Sequence, residues 1–306
     1  MILSPLLLLG ALGCGNVSND IFDDDVDFAA ALPEESRQTL SFSDDTTDEA
    51  GRGLGERADL VELSVAVAGG VNAYVFAVLG VVDAAIELPP SERTEDTRRW
   101  GPHTGECGVD FTLLMSRSAG VYDWSVSGHA AGTEDAVLLY GTHFAGTSVA
   151  AGDGRFVWDH SRWNEWCAGT ETGLVEVAYD NRDGVDLVVG VNGWTTTSGD
   201  VEDWTYAYRR TGSLGDFQYR TVTDLEGDGS EELANVAVRD RWIPGEGGRS
   251  DATVTGGAFG EDPWVWSQCW GPTGRLLWQE DSLAITEQVG VAAACAFTDV
   301  AGVDRI

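Results

Sequence analysis

The chain has 306 residues, and its 51 Asp and Glu against 18 basic side chains give a net charge of −33. This acidic balance excludes nucleic acid as a natural partner, because phosphate binding relies on clustered cations. All 18 basic residues are Arg, which excludes mechanisms that need a phosphate-binding or Schiff-base lysine. The hydrophobic fraction of 43% is sufficient for a globular core.

The amino terminus is an apolar stretch that ends in small residues directly before Cys14, and it is too short to span a bilayer. Ala11-Leu12-Gly13-Cys14 resembles the lipobox of bacterial lipoproteins, which are cleaved before a lipidated cysteine. The resemblance implies a signal peptide over residues 1–13, a membrane anchor on Cys14 and export to the cell envelope. The alternatives are an ordinary secretory signal peptide and a buried amino terminus. Gly15, in place of Asp, favours the outer membrane over the inner membrane by analogy with enteric bacteria.

Four cysteines remain once Cys14 is assigned to the lipid: Cys107, Cys167, Cys269 and Cys295. An even number is typical of exported proteins, whose compartment oxidises thiols. Three pairings exist, and local spacing favours Cys269 with Cys295 and therefore Cys107 with Cys167. The cysteines lack the close spacing of a zinc site.

The segment 14–57 is predicted to be an acidic, flexible tether, because residues 15–57 hold 12 acids and 3 Arg. Within it, Leu40, Phe42 and the run Phe28-Ala29-Ala30-Ala31-Leu32 could dock locally. Residues 58–88 form the one long helical candidate, which Pro89-Pro90 end. This helix is apolar on nearly every side, so we expect it to be enclosed by the rest of the domain rather than to span a membrane.

After Pro90 the hydrophobic pattern alternates with period 2 through the remaining chain, and the connections are short and rich in Gly, Asp and Asn. We therefore predict a mainly β (α+β) fold. It is an antiparallel up-and-down meander of roughly 10–12 strands that curls into a barrel or half-barrel around the helix. The folded domain is expected to cover residues 58–306, with the helix over 58–88.

The order of these features resembles that of hypothetical lipoproteins of myxobacterial type over residues 1–306. The shared features include Pro89-Pro90, Trp100-Gly101-Pro102, Gly247-Gly248-Arg249-Ser250-Asp251 and Cys269-Trp270. Such proteins have no established activity. The resemblance therefore implies cellular location and architecture, and it assigns no functional residue.

One acidic loop has the spacing of oxygen ligands that calcium prefers. It resembles the loops of propeller repeats and EF hands, and its candidate ligands are Asp224, Glu226, Asp228 and Glu232. The alternative is an acidic hairpin turn between two strands. Calcium bound here would stabilise the fold rather than take part in catalysis, and no other cofactor is expected.

The sequence contains no catalytic signature, and its four histidines lack the spacing of a metal site. We therefore predict a non-catalytic binding or structural role with an unknown ligand. The alternatives are a lipid carrier of half-barrel type and a carbohydrate-binding surface protein. Trp204, Tyr206 and Tyr208 on one strand, with Trp264 and Trp266 on another, are either core residues or a sugar platform. The oligomeric state is not indicated.

Overall fold

The protein is described here from a computed structural model, which covers residues 20–40, 55–167, 169–195, 201–225 and 233–297. Three α-helices occur in these ranges: α1 (Asp20–Ala30), α2 (Asp59–Ile86) and α3 (His160–Cys167). The same ranges contain fifteen strands: β1 (Glu92–Arg93), β2 (Thr97–Thr104), β3 (Asp110–Ser118), β4 (Val121–His129), β5 (Ala136–Phe144), β6 (Asp153–Asp159), β7 (Thr172–Asp180), β8 (Val185–Thr195), β9 (Val201–Thr211), β10 (Leu214–Thr223), β11 (Ala234–Ile243), β12 (Gly247–Gly256), β13 (Trp264–Trp270), β14 (Leu276–Asp281) and β15 (Val289–Gly290).

The strands form one sheet in which every strand pairs with its neighbour in the chain, and all pairs are antiparallel. Short turns make this order possible. Between β3 and β4, for example, Ala119 and Gly120 both have positive φ angles, as the tightest hairpin turns require. The first and last strands do not pair with each other, so the sheet stays open as a half-barrel. The predicted meander is confirmed, with fifteen strands in place of roughly 10–12. The edge strands β1 and β15 have only two residues each, and β2 lacks a regular alternation of apolar and polar residues.

Helix α2 forms where the sequence predicts it, within two residues at either end. Asp59 and Glu62 lie in its first turn, where the helix dipole favours negative charge. Its buried residues recur every three or four positions, as in Leu60, Ser64, Ala68, Val71, Val75, Val78, Val82 and Ala85. At the helix start, the Leu60 amide donates a hydrogen bond to the Gln268 side chain at 2.8 Å. The concave side of the sheet therefore holds α2 along one stripe.

The expectation that α2 is enclosed on all sides is wrong. A second face of the helix is apolar but exposed or half-exposed, and it includes Leu63, which is 45% exposed, together with the exposed Ala66, Gly70 and Ala77. Among the described helices, only α2 is long and apolar enough to cross a membrane by length and composition. The period of its sequence could not reveal the exposed face, because apolar residues occur on nearly every side.

Part of the predicted tether is folded against the domain, which corrects the expectation of a flexible segment for residues 20–40. Phe28 of α1 is fully buried, with its ring edge-on to Tyr122 and under the guanidinium groups of Arg98 and Arg117. Arg98 is also buried and forms an ion pair with Asp25. Residues 14–19 and 41–54, which include Cys14 and Phe42, lie outside the described residues.

Both predicted disulfides are present. Cys107 is bonded to Cys167 with their Cα atoms 5.3 Å apart, and Cys269 is bonded to Cys295 at 5.5 Å. The first bond ties the connection between β2 and β3 to the end of α3. The second ties the carboxyl-terminal segment to β13, where the pair packs with Trp278 in a small apolar cluster.

Candidate ligand-binding groove

The exposed face of α2 forms one wall of a groove whose other wall is the sheet. Small residues predominate on this face, where the lining positions Ala66, Gly70, Tyr74, Ala77, Val81 and Ala84 recur every three or four residues. The lining continues to Ala85 on the helix and to Leu88 just beyond its end, so it spans about 30 Å of helix at 1.5 Å per residue. We refer to this surface, together with the two cavities that it borders, as the groove.

The larger cavity has a volume of about 750 Å³ and borders the carboxyl-terminal half of α2. Phe111, Trp158 and Trp163 line its opposite side. The rings of Phe111 and Trp163 are stacked, with centroids 5.7 Å apart and an angle of 13° between their planes. Because Trp163 belongs to α3, the disulfide at the end of α3 helps to hold this wall in place.

The smaller cavity has a volume of about 380 Å³ and borders α2 around Gly70. Aromatic residues of β8, β9 and β10 line it, namely Trp194, Trp204, Tyr206 and Tyr219. Tyr74 lines both cavities, and its ring lies edge-on to Trp194 at 5.5 Å. The two cavities therefore lie on the same side of α2, with Tyr74 between them.

The folded segment 20–40 lies on the opposite side of α2. The Asn72 side chain exchanges two hydrogen bonds with the Leu40 backbone, both at 2.8 Å. Asn72 and Tyr74 are two residues apart, so they point about 200° away from each other around the helix axis. Residues 20–40 thus cover one side of α2 and leave the groove side uncovered within the described part of the chain.

The tyrosine hydroxyl groups of the groove are neutral, whereas Arg220 at the smaller cavity is charged. Burial raises the pKa values of Tyr74, Tyr206 and Tyr219 above the usual value, so their hydroxyl groups stay protonated. Burial also lowers the pKa of His160, against the opposing effect of Glu171. Such a surface can hold an apolar ligand. In the described part of the chain, no Asp or Glu side chain lines either cavity, although the chain has a net charge of −33.

The aromatic residues that the sequence singled out belong to the core. Tyr206 and Tyr208 are buried, whereas Trp204, Trp264 and Trp266 are partly buried and pack against the core. Trp204 and Tyr206 are stacked at 6.0 Å. This packing leaves no row of freely exposed rings among these five residues, and it disfavours the sugar platform.

The candidate metal ligands cannot be assembled into a site from the described residues. Asp224 is described, whereas Glu226, Asp228 and Glu232 lie outside the described residues. Among the residues that are described, no group of three or more His, Cys, Asp or Glu side chains could hold a metal ion. Structural calcium at this loop therefore stays a prediction.

Sequence reasoning did not find the groove, although one signal was present. Ala66, Gly70, Ala77 and Ala84 fall on one stripe of a helix that is otherwise rich in Val and Leu. Small residues on such a stripe leave space beside the helix. This space becomes a cavity only if the facing part of the sheet stays at a distance from the helix. That distance is set by the curvature of the sheet.

Comparisons with protein-family models, with curated proteins and with solved structures return no match to this chain. Function must therefore be argued from the chemistry of the groove, since a fold alone does not specify an activity.

Proposed function

We propose that this chain is an exported, non-catalytic envelope protein that holds an apolar ligand of the acyl-chain type between α2 and the half-barrel. The observation that carries the proposal is the pair of cavities, about 750 and 380 Å³, on one apolar face of α2. Cavities of about 300–1,000 Å³ with mostly apolar walls are typical of small-molecule sites. The proposed role of the protein is therefore that of a carrier, which the sequence analysis names as an alternative.

The shape of the groove favours a long, narrow ligand. Its lining runs along about 30 Å of one helix, and many of the lining side chains on α2 are small, as at Ala66, Gly70 and Ala77. A flexible acyl chain can follow such a path and contact both the helix and the aromatic wall. Burial of each CH₂ group would contribute about 0.8 kcal/mol, and this contribution does not depend on charge.

Filling the larger cavity should abolish most of the binding. We expect Ala77→Phe and Ala84→Phe to weaken the binding of a fluorescent fatty acid about tenfold or more, because overpacking a formed site costs about 1–3 kcal/mol. Binding is measured by titration of the purified protein. Native mass spectrometry of the wild-type protein, purified without detergent, should show a co-purifying lipid.

The control is Gly69→Phe, which introduces the same ring at an exposed position of α2 that lines neither cavity, has open space around it and lies about 100° around the helix from Gly70. It replaces a glycine inside the helix, so it should not weaken the helix, and it should leave binding unchanged. Equal binding by wild type and both groove variants, or equal loss in all three variants, would contradict the carrier role.

The cellular location of the protein is a separate part of the proposal. We propose that the chain is a lipoprotein of the resembled type, anchored through Cys14, with the outer membrane favoured over the inner one. Two disulfides support an oxidising compartment. A single acyl chain anchors a protein only weakly, whereas the several chains of a lipoprotein anchor stably.

Lipidation is tested by metabolic labelling with a palmitate analogue. The wild-type chain should be labelled and should fractionate with the outer membrane, whereas Cys14→Ala should lose both the label and the membrane association. Label retained by Cys14→Ala would exclude this residue as the anchor.

A further inference from the structure

The sheet has two ends, and much of the groove wall lies at one of them. Because neighbouring strands are antiparallel, even-numbered strands finish and odd-numbered strands begin at the same end. His103 near the end of β2, Phe111 at the start of β3, Trp158 near the end of β6 and Trp194 near the end of β8 line the groove there. We call it the groove end of the sheet. Residues 20–40 contact the opposite end, through ion pairs to the start of β2 and the end of β3.

Half-exposed tryptophans occur at the groove end alone. The chain has 12 Trp, all of them described, and six of these are buried. The other six are partly buried and lie on α3, which joins β6 to β7, or near strand termini of the groove end: Trp163, Trp166, Trp194, Trp204, Trp264 and Trp266. An indole ring that is part packed and part exposed is typical of tryptophan at a membrane–water interface.

Exposed aliphatic side chains are also frequent at this end. Among the described residues, eight exposed large apolar side chains lie in its connections or in the first or last three residues of a strand: Val137, Leu174, Val201, Val222, Leu225, Leu233, Leu283 and Ile285. The same positions at the opposite end include Phe144, Leu214 and Leu277, and α1 adds Phe22 and Val26 near that end. The aliphatic residues thus favour the groove end, and the tryptophans distinguish it.

The connection between β14 and β15 is built to expose apolar side chains. The backbone N–H groups of Leu283, Ile285 and Thr286 donate hydrogen bonds to the Asp281 carboxylate at 2.6–3.0 Å. Between them, Ala284 has a φ angle of 54°, a left-handed conformation that is unfavourable for a residue other than glycine. Leu283 and Ile285 nevertheless remain 52% and 60% exposed. The loop is therefore held in a strained shape that presents two large apolar side chains to the surroundings.

We propose that the groove end docks onto the surface of a lipid bilayer. The half-exposed tryptophans lie at the depth of the headgroups, and Val201, Leu283 and Ile285 enter the outer part of the hydrocarbon. An acyl ligand then passes between the bilayer and the groove without crossing water. This route rests on the proposed carrier function, whereas the docking itself does not.

The distribution of the tryptophans favours a bilayer over a protein partner. Protein interfaces concentrate their binding energy in a few residues near the centre of one patch. Here the six rings are spread over α3, β8, β9 and β13, along an arc formed by the ends of the strands. A flat bilayer can contact such an arc at many points at once.

The charge of the groove end determines which bilayer fits. Glu134, Asp135, Glu261 and Asp262 are exposed in its connections, and the whole chain has a net charge of −33. Anionic headgroups are therefore repelled. Zwitterionic headgroups carry no net charge, so the docking surface fits a zwitterionic bilayer.

Quenching of tryptophan fluorescence by vesicles of brominated phosphatidylcholine tests the docking, because bromine quenches only rings that it nearly touches. The full chain carries Cys14→Ala in every sample, so that no attached lipid contributes. The parent chain should be quenched. The double variant Leu283→Ser, Ile285→Ser should need about tenfold more lipid, or still more, for half-maximal quenching. Val201→Ser should have a smaller effect, since it removes one apolar side chain.

The matched control is the double variant Phe144→Ser, Leu214→Ser. These residues are 45% and 39% exposed and lie at the opposite end, so quenching should be unchanged. The groove variants Ala77→Phe and Ala84→Phe distinguish a bilayer from a single lipid bound in the groove. They should lose the fluorescent fatty acid and keep the quenching by vesicles.

The outcomes separate docking from the carrier function. A parent chain that binds the fatty acid but is not quenched would overturn docking alone, whereas quenching without fatty-acid binding would overturn the carrier alone. Docking is also overturned if the groove variants lose the quenching, or if the Leu283, Ile285 double variant is quenched like the parent chain. Stronger quenching by vesicles with equal parts of brominated phosphatidylcholine and phosphatidylglycerol would exclude the zwitterionic surface. Dimers of an unquenched parent chain that the double variant cannot form, seen by analytical ultracentrifugation, would assign the surface to a second copy instead.

Discussion

Removal of the disulfide between Cys107 and Cys167 should lower the free energy of unfolding by about 4 kcal/mol, because its loop closes 60 residues and unfolded chains lose more entropy when longer loops are closed. The double variant Cys107→Ser, Cys167→Ser should therefore unfold about 10 °C below wild type. Thermal unfolding followed by tryptophan fluorescence measures this shift.

The second disulfide provides the comparison. Cys269 and Cys295 are separated by only 26 residues, so their replacement should cost about 3.5 kcal/mol in the same model. The two pairs should differ more clearly in ligand binding, because only the first pair holds α3 and therefore Trp163 at the larger cavity. A ligand affinity that is insensitive to loss of the first disulfide would show that this wall is held by packing alone.

The stability of the protein should depend on a buried carboxyl group, Asp240, on the concave face. Asp240 is fully buried and accepts a hydrogen bond from Ser250. Burial raises the pKa of Asp240 from 3.8 to about 7, with smaller contributions from the negative charges of Asp251 and Asp216. The folded protein therefore holds the proton more tightly than the unfolded chain does.

The sign of the pH dependence follows from this difference. The stabilisation that the folded state gains by holding Asp240 protonated is complete below pH 3.8. It is lost as the pH rises toward 7, where Asp240 ionises in the folded state. A shift of this size corresponds to about 4 kcal/mol. At pH 8, Asp240→Asn should be more stable than wild type by about 2–4 kcal/mol, because the amide has a similar shape and carries no charge.

Urea unfolding gives the free energy of unfolding of wild type and of Asp240→Asn at each pH between 4 and 8. The effect of Asp240 is the difference between these two free energies. This difference removes the contribution of the many other acidic groups, and it should vanish near pH 4. Asp186→Asn is the control, because Asp186 forms an ion pair near the surface with Arg209 and should show no comparable rise. A constant difference across the pH range would mean that Asp240 is ionised throughout.

Local patterns in the sequence were sufficient for the main architecture. Alternating apolar and polar residues in β3 and β4 determine which side of each strand faces the core, and the short connections allow only antiparallel neighbours. Pro89-Pro90 end α2 because proline cannot continue a helix. The spacing of Cys269 and Cys295 selected the disulfide pairing. All of these features depend on residues that are near each other in the chain.

The folding of residues 20–40 and the groove were decided by contacts between distant parts of the chain. Phe28 and Asp25 of an acidic segment become ordered only because Arg98, about 70 residues away, supplies the opposite charge and a flat surface. The composition of the segment could not show this, since an acidic stretch without such a partner would stay solvated.

The sequence by itself determined a β meander, one long helix, two disulfides and the absence of lysine chemistry. Only the tertiary structure decided which face of α2 stays uncovered, because an apolar helix has no preferred face until a sheet packs against it. Only the tertiary structure, likewise, showed that the hydroxyl groups of Tyr206 and Tyr219 lack a hydrogen-bond partner among the described residues. A hydroxyl group lacks a partner because of what surrounds it in space, and no spacing along the chain records that.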